Sequence, residues 1–151
     1  MAITYEKSAQ SAAEVVNAIK AKGRRAVAIQ ADSADAAAVR TSIDKTVAAL
    51  GGLDILVNNA GILRVGELKD LSSADIDALL NVNVRAPIIA SKAALGHLGR
   101  DGRIITIGSY FADRIPAPIV GVYHTDVTRA RGRPPASVSC RESNRRSTLF
   151  G

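Results

Sequence analysis

The 151-residue chain is poor in the features that mark several special classes of protein. It has a single cysteine, Cys140, so no disulfide can close within it, which fits a cytoplasmic location. No run approaches the roughly 20 apolar residues of a membrane-spanning helix. The opening Met1-Ala2-Ile3-Thr4-Tyr5 has neither the basic nor the apolar segment of a secretory signal. A membrane is therefore not expected as a partner, and no metal-binding pattern is read. Hydrophobic residues at 47% and charged residues at 23% are those of an ordinary globular protein, and the length suits one folded domain.

The net charge of +6 is unevenly spread. Residues 1–123 hold 14 basic and 12 acidic side chains, a net of +2, whereas residues 124–151 hold 6 Arg, no Lys and 2 acids, a net of +4. The basic excess thus sits in the last 28 residues, with no interleaved aromatics and no nucleic-acid motif. Nucleic acid is not the expected partner. That segment includes Pro134-Pro135 and has no apolar periodicity, so it cannot bury enough surface to offset the cost of ordering. The chain thus divides into a folded domain over 1–123 and an Arg/Ser/Pro-rich tail over 124–151, expected to be disordered.

The organising stretch is Leu53-Asp54-Ile55-Leu56-Val57-Asn58-Asn59-Ala60-Gly61. Its unbroken apolar run stops at two amides and a small-residue turn, as a parallel strand buried on both faces does. Ligands of open parallel sheets lie beyond the carboxyl ends of the strands, which puts Asn58, Asn59, Ala60 and Gly61 beside a ligand. The amides can orient it, and the two small residues leave room for a planar group.

Strands are predicted at Ile3–Tyr5, Ala26–Gln30, Leu53–Asn58 and Arg103–Gly108. A helix over Ala9–Lys22 presents Ala12, Val15, Val16 and Ile19, and ends at Gly23. A second, Asp35–Leu50, presents Val39, Ile43, Val47 and Leu50 and closes at Gly51-Gly52. Ser72-Ser73-Ala74-Asp75 reads as a capping box opening a long helix to Leu98. Pro87 has no N–H, so the main-chain carbonyl of Asn83 loses its usual helical donor and a kink is expected there. The order β-α-β-α-β-α-β gives a parallel sheet of about four strands flanked by helices, an α/β fold.

Asn58-Asn59-Ala60-Gly61, then Asn83 in Asn81-Val82-Asn83-Val84-Arg85, then Gly108-Ser109 and finally Tyr123 resemble, in order and spacing, the short-chain dehydrogenase/reductases. The likeness covers about residues 1–123. It implies a Rossmann-like fold, NAD(P) as hydride carrier and a small-molecule alcohol or carbonyl substrate. By position, Ser109 polarises the substrate oxygen, and Tyr123 is the general acid or base. The Asn83 carbonyl holds a water of the proton relay. An unperturbed phenol has a pKa of about 10, so Tyr123 needs nearby positive charge. The family supplies it with a Lys four residues on. Asp32 matches a position that contacts adenine. Tyr5 stands where NAD-preferring members carry an acid, with Lys7 and Ser8 beyond it, which leans to NADP; Glu6 would oppose a 2′-phosphate if turned inward.

Two departures accompany the resemblance. No glycine-rich turn of the family's Thr-Gly-x-x-x-Gly-x-Gly kind occurs, and the chain opens at what resembles the second strand. The cradle for pyrophosphate at a helix N-terminus then lacks residues, and the Ile3 and Ile55 strands lose a shared neighbour. At the other end Val127 stands at the Lys position. The expectation is a chain lacking the first strand and the C-terminal strands, truncated and inactive as it stands. Only Ile62–Gly66 and Tyr110–Val120 remain to build a substrate pocket. The alternative is a non-catalytic remnant or self-associating module, forming a homo-oligomer through the helix over 72–98.

Overall fold

The computed structural model describes residues 1–65, 68–108, 119–120 and 127–128. Its first unit is β1 (Ala2–Tyr5), α1 (Ala9–Ala21) and β2 (Val27–Gln30), with β1 and β2 parallel and paired from Ala2↔Val27 to Tyr5↔Gln30. Helix α1 stops by chain chemistry. Gly23 sits at φ +71°, its N–H bonds the Lys20 carbonyl at 2.9 Å and the Arg24 N–H that of Ile19 at 3.4 Å. This pair of backward bonds satisfies carbonyls the helix leaves over. Ala12 and Val16 are buried, but Val15 is 45% exposed, because among the described residues α1 packs mainly on β1 and β2 and the covered stripe is narrow.

Helix α2 (Ala36–Leu50) begins at Asp35, whose carboxylate accepts the Ala37 N–H at 2.7 Å, and closes on Gly51 at φ +85°. It packs on β1, β2 and the next strand, β3 (Leu53–Asn58). Arg25 Nη2 donates to the Leu50 carbonyl at 2.5 Å, so α2 ends where β2 begins. Strand β3 therefore starts at the same pole as β2, and both strands end at the opposite pole.

After the short strand β4 (Arg64–Val65) and a 3₁₀ turn at Leu68–Asp70 comes α3 (Ser73–Leu80). The capping box forms: the Ser72 hydroxyl accepts the Asp75 N–H at 3.1 Å and donates to Asp75 Oδ2 at 2.6 Å. The single helix expected to Leu98 is instead three pieces. A π-helical turn, Asn81–Arg85, separates α3 from α4 (Ala86–Leu95), and Leu98 already belongs to β5 (Leu98–Thr106). Pro87 explains the break: it has no N–H for the ladder, and the preceding Ala86 N–H reaches five residues back to Asn81.

Strand β5 runs parallel to β3, Ile55↔Arg103 through Asn58↔Thr106, beyond a register shift that follows Leu53↔Leu98. Gly102 is required in that irregularity, because a Cβ there would lie 2.7 Å from the Leu98 Cβ. Two residues of the expected tail, Val127–Thr128, form β7, which adds to β5 antiparallel; Ile119–Val120 form β6, antiparallel to β4. The rest of the tail lies outside the described residues.

The four expected strands are present and parallel within their pairs, but hydrogen bonding divides them as β1–β2 and β3–β5. Among the described residues, Val39 of α2 clusters with Ala86 and Ala90 of α4, and Leu56 of β3 and Ile89 pack onto them. The prediction that β3 is buried on both faces is wrong. Leu56 faces the helices, while Ile55 and Val57 on the other face are 48% and 51% exposed. Alternation sends them away from α2 and α4, and among the described residues α1 covers only the neighbouring pair.

Candidate active site

The carboxyl ends of β3 and β5 are joined through Asn58. Its main-chain carbonyl accepts the Ile107 N–H at 2.8 Å, continuing the ladder one step. Its side-chain Nδ2 lies 3.3 Å from Ser91 Oγ of α4 and 3.3 Å from Thr106 Oγ1 of β5. Both donor hydrogens are thus used within the protein, and one half-buried amide ties strand, strand and helix together.

A second amide fixes the segment beyond Gly61. Asn83 in the π-helical turn accepts the Ile62 N–H on Oδ1 and donates from Nδ2 to the Ile62 carbonyl, each at 2.8 Å. This two-way bond imitates a strand pair and pins Ile62 to the helix. Such bonds are worth about 0.5–1.5 kcal/mol each. Gly61 lies against the same amide: a Cβ there would be 3.6 Å from Asn83 Oδ1, an ordinary contact. Chain geometry therefore does not demand glycine at 61. Asn59 and Ala60 are exposed between the two amides.

Arg64 closes the segment. Its Nε donates to Asp75 Oδ1 at 2.9 Å, which anchors the start of β4 to the first turn of α3. The Ser72 hydroxyl and then the Arg64 guanidinium hold the Asp75 carboxyl below the usual carboxylate range.

At the carboxyl ends of β1 and β2 the predicted residues are near one another in the chain's turns. Tyr5 ends β1 and is half-buried, and Ser8 is the N-cap of α1 with no capping bond from its side chain. Asp32 is exposed after β2, and its Oδ1 accepts the Ala34 N–H at 2.8 Å. Gln30 Nε2 donates to the Glu6 carbonyl at 3.0 Å and ties the two strand ends. Glu6 is ion-paired with Lys7 at 2.9 Å, and through that bond it raises the Lys7 pKa. Ser109 and Tyr123 lie outside the described residues.

The structure thus brings Asn58 and Asn83 to the two flanks of Asn59–Gly61. Of their partners, Ser91 and Thr106 are not singled out by the sequence, and Ile62 is named there only as the start of a pocket segment. Thr106 had left a trace as the one polar residue in Ile104-Ile105-Thr106-Ile107, and Ser91 lies eight residues after Asn83, about two helical turns. The bond of Ile62 to Asn83 left none, since its backbone rather than its side chain is used.

The pattern of the short chain dehydrogenases matches residues 1–125. Versicolorin reductase of Emericella nidulans is 37% identical over 121 residues, which is 80% of this chain and 46% of that protein. A probable tetrahydroxynaphthalene reductase of Zymoseptoria tritici is 34% identical over 121 residues, 80% of this chain and 45% of the relative. Among solved structures, a short chain dehydrogenase from Burkholderia cenocepacia in complex with NADP is 64% identical with a TM-score of 0.75, covering 76% of this chain and 47% of that one. A blue fluorescent protein from a metagenomic library, in complex with NADPH, is 45% identical with a TM-score of 0.76, over 79% of this chain and 49% of that one. The chain spans under half the length of the curated relatives it matches.

Proposed function

Because this chain belongs to the short-chain dehydrogenase family, we propose that it carries part of an NADP(H)-dependent oxidoreductase site for a small-molecule alcohol or carbonyl. The observation that carries this reading is the pair of amide ties, Asn58 to Ser91 and Thr106 and Asn83 to Ile62, which hold Asn59–Gly61 open at the strand ends. Neighbours in complex with NADP and NADPH support the choice of nicotinamide cofactor and the lean to the phosphorylated form.

The residues present fit one part of such a cofactor better than another. Tyr5, the uncapped Ser8 hydroxyl and Asp32 suit the adenosine end, with Asn58, Asn59, Ala60 and Gly61 lining the strand end beside it. Lys7 is held by Glu6 rather than turned to a phosphate. No glycine-rich turn is present in the sequence to receive the pyrophosphate. When bound, the cofactor supplies or accepts a hydride. Given a cation in the Lys position, Ser109 would hydrogen-bond the substrate oxygen, Tyr123 would give or take its proton, and Asn83 would steady the water that passes it on.

In this reading the 151-residue polypeptide alone turns over negligibly, since Val127 supplies no cation to lower the phenol pKa of Tyr123. Incubation with NADPH and a panel of aromatic ketones tests this by absorbance of the reduced nicotinamide. Turnover at an ordinary enzyme's rate, on the order of 1–1000 per second, would overturn the inactive assignment. Tight binding of NADPH by this chain alone would overturn the reading that it lacks the grip on pyrophosphate.

A second reading, self-association, is favoured by Ile76, Leu80, Ile88 and Leu95 of α3 and α4, which are 40%, 43%, 58% and 58% exposed.

A further inference from the structure

A cleft at the pole opposite the candidate site is lined by Lys20 and Gly23 from the end of α1, Arg24 to Val27 entering β2, and Ala49 and Leu50 closing α2. It is an open groove of about 430 Å³, along which Lys20, Gly23, Arg24 and Arg25 are exposed. Three cations line it and no acid does. Helix carbonyl ends attract cations, and that accounts for two of the three: Lys20 stands in the last turn of α1, and Arg25 Nη2 is bound to the Leu50 carbonyl at 2.5 Å. The bond holds the guanidinium still and leaves its remaining donors for another acceptor. The side chains of Lys20 and Arg24 make no ion pair or hydrogen bond among the described residues. The rest of the lining is small or apolar: Gly23, buried Ala26, half-buried Val27, Ala49 and Leu50.

We propose that this cleft binds a phosphate monoester carried on a small apolar body, through Lys20, Arg24 and Arg25, at a site separate from the strand-end site. The chemistry selects the class. A guanidinium presents forked donors that match a phosphate, and two more cations offset its second charge. The apolar lining takes the organic part, which inorganic phosphate lacks. The same headgroup on a lipid would meet the same exposed cations, and the vesicle arm of the test below separates the two sources.

The test titrates the full 151-residue chain with hexyl phosphate at low salt, followed by amide NMR shifts. Shifts at residues 20–27 and 49–51 are expected, saturating in the millimolar range or below. They should be weakened by added salt, and hexanol should produce none. The double variant K20Q/R24Q, its fold checked by circular dichroism, should lose roughly tenfold or more in affinity. Should that variant not fold, R24Q alone serves, with a smaller loss expected. Absence of saturable shifts in the wild type, or equal affinity in the variants, would overturn the site. Sedimentation with phosphatidic-acid vesicles without any response to hexyl phosphate would overturn the assignment to a soluble ester. Because these residues take no part in the strand-end site, loss of hexyl phosphate binding leaves the nicotinamide reading untouched, and the converse holds.

Discussion

Asp75 shows how much one side chain settles locally. Its carboxylate accepts from the Ser72 hydroxyl and the Arg64 guanidinium, and its own N–H donates to the Ser72 hydroxyl. Its pKa is lowered first by Ser72 and next by Arg64. A carboxyl depressed in the folded state stabilises fully above its unfolded pKa of about 3.9, and that contribution disappears as pH falls through the lower folded value. Asp75→Asn should therefore be less stable than the parent in denaturant melts at neutral pH. The difference should shrink as pH falls below roughly 4, and a gap independent of pH would remove the ionic account. The sequence disclosed Ser72 and Asp75 as a cap, but not Arg64, since eleven positions separate the pair.

Among elements, helix ends were the most legible, because caps are written in neighbouring residues. Gly23 and Gly51 both take positive φ and Ser72 caps as its spacing predicts, while Asp35, expected as the first residue of its helix, is the cap of α2. Gly51 and Gly52 separate two glycine roles. A Cβ meets nothing within 4 Å at either, but only Gly51 has a positive φ, at +85°. Gly51→Ala should cost about 1–2 kcal/mol by thermal or denaturant unfolding, while Gly52→Ala should be neutral or stabilising by up to about 1 kcal/mol. Equal effects would mean that the αL turn does not govern the end of α2. The long helix was read less well. Its apolar pattern continues through Pro87, and a pattern of side chains does not report which carbonyl an N–H reaches.

Over the whole molecule, two strand pairs share helix α2, and one face of β3 exposes Ile55 and Val57. With Ile76, Leu80, Ile88 and Leu95 also exposed, the chain shows more large apolar surface than scattered single residues would give. Light scattering coupled to size exclusion should find dimers or larger species at micromolar concentration. Ile88→Lys with Leu95→Lys should shift the population toward monomer, and a monomeric parent would exclude self-association.

The order of strands and helices, their caps and turns, and the Asn58–Gly61 strand end were set by the sequence itself. Periodicity and capping act between residues a few positions apart. Only the tertiary structure decided that Asn58 meets Ser91 and Thr106, that Asn83 grips the backbone of Ile62, and that β3 is covered on one face alone. Those contacts join residues 21 to 48 positions apart or depend on which elements lie nearby, and local composition holds no record of either.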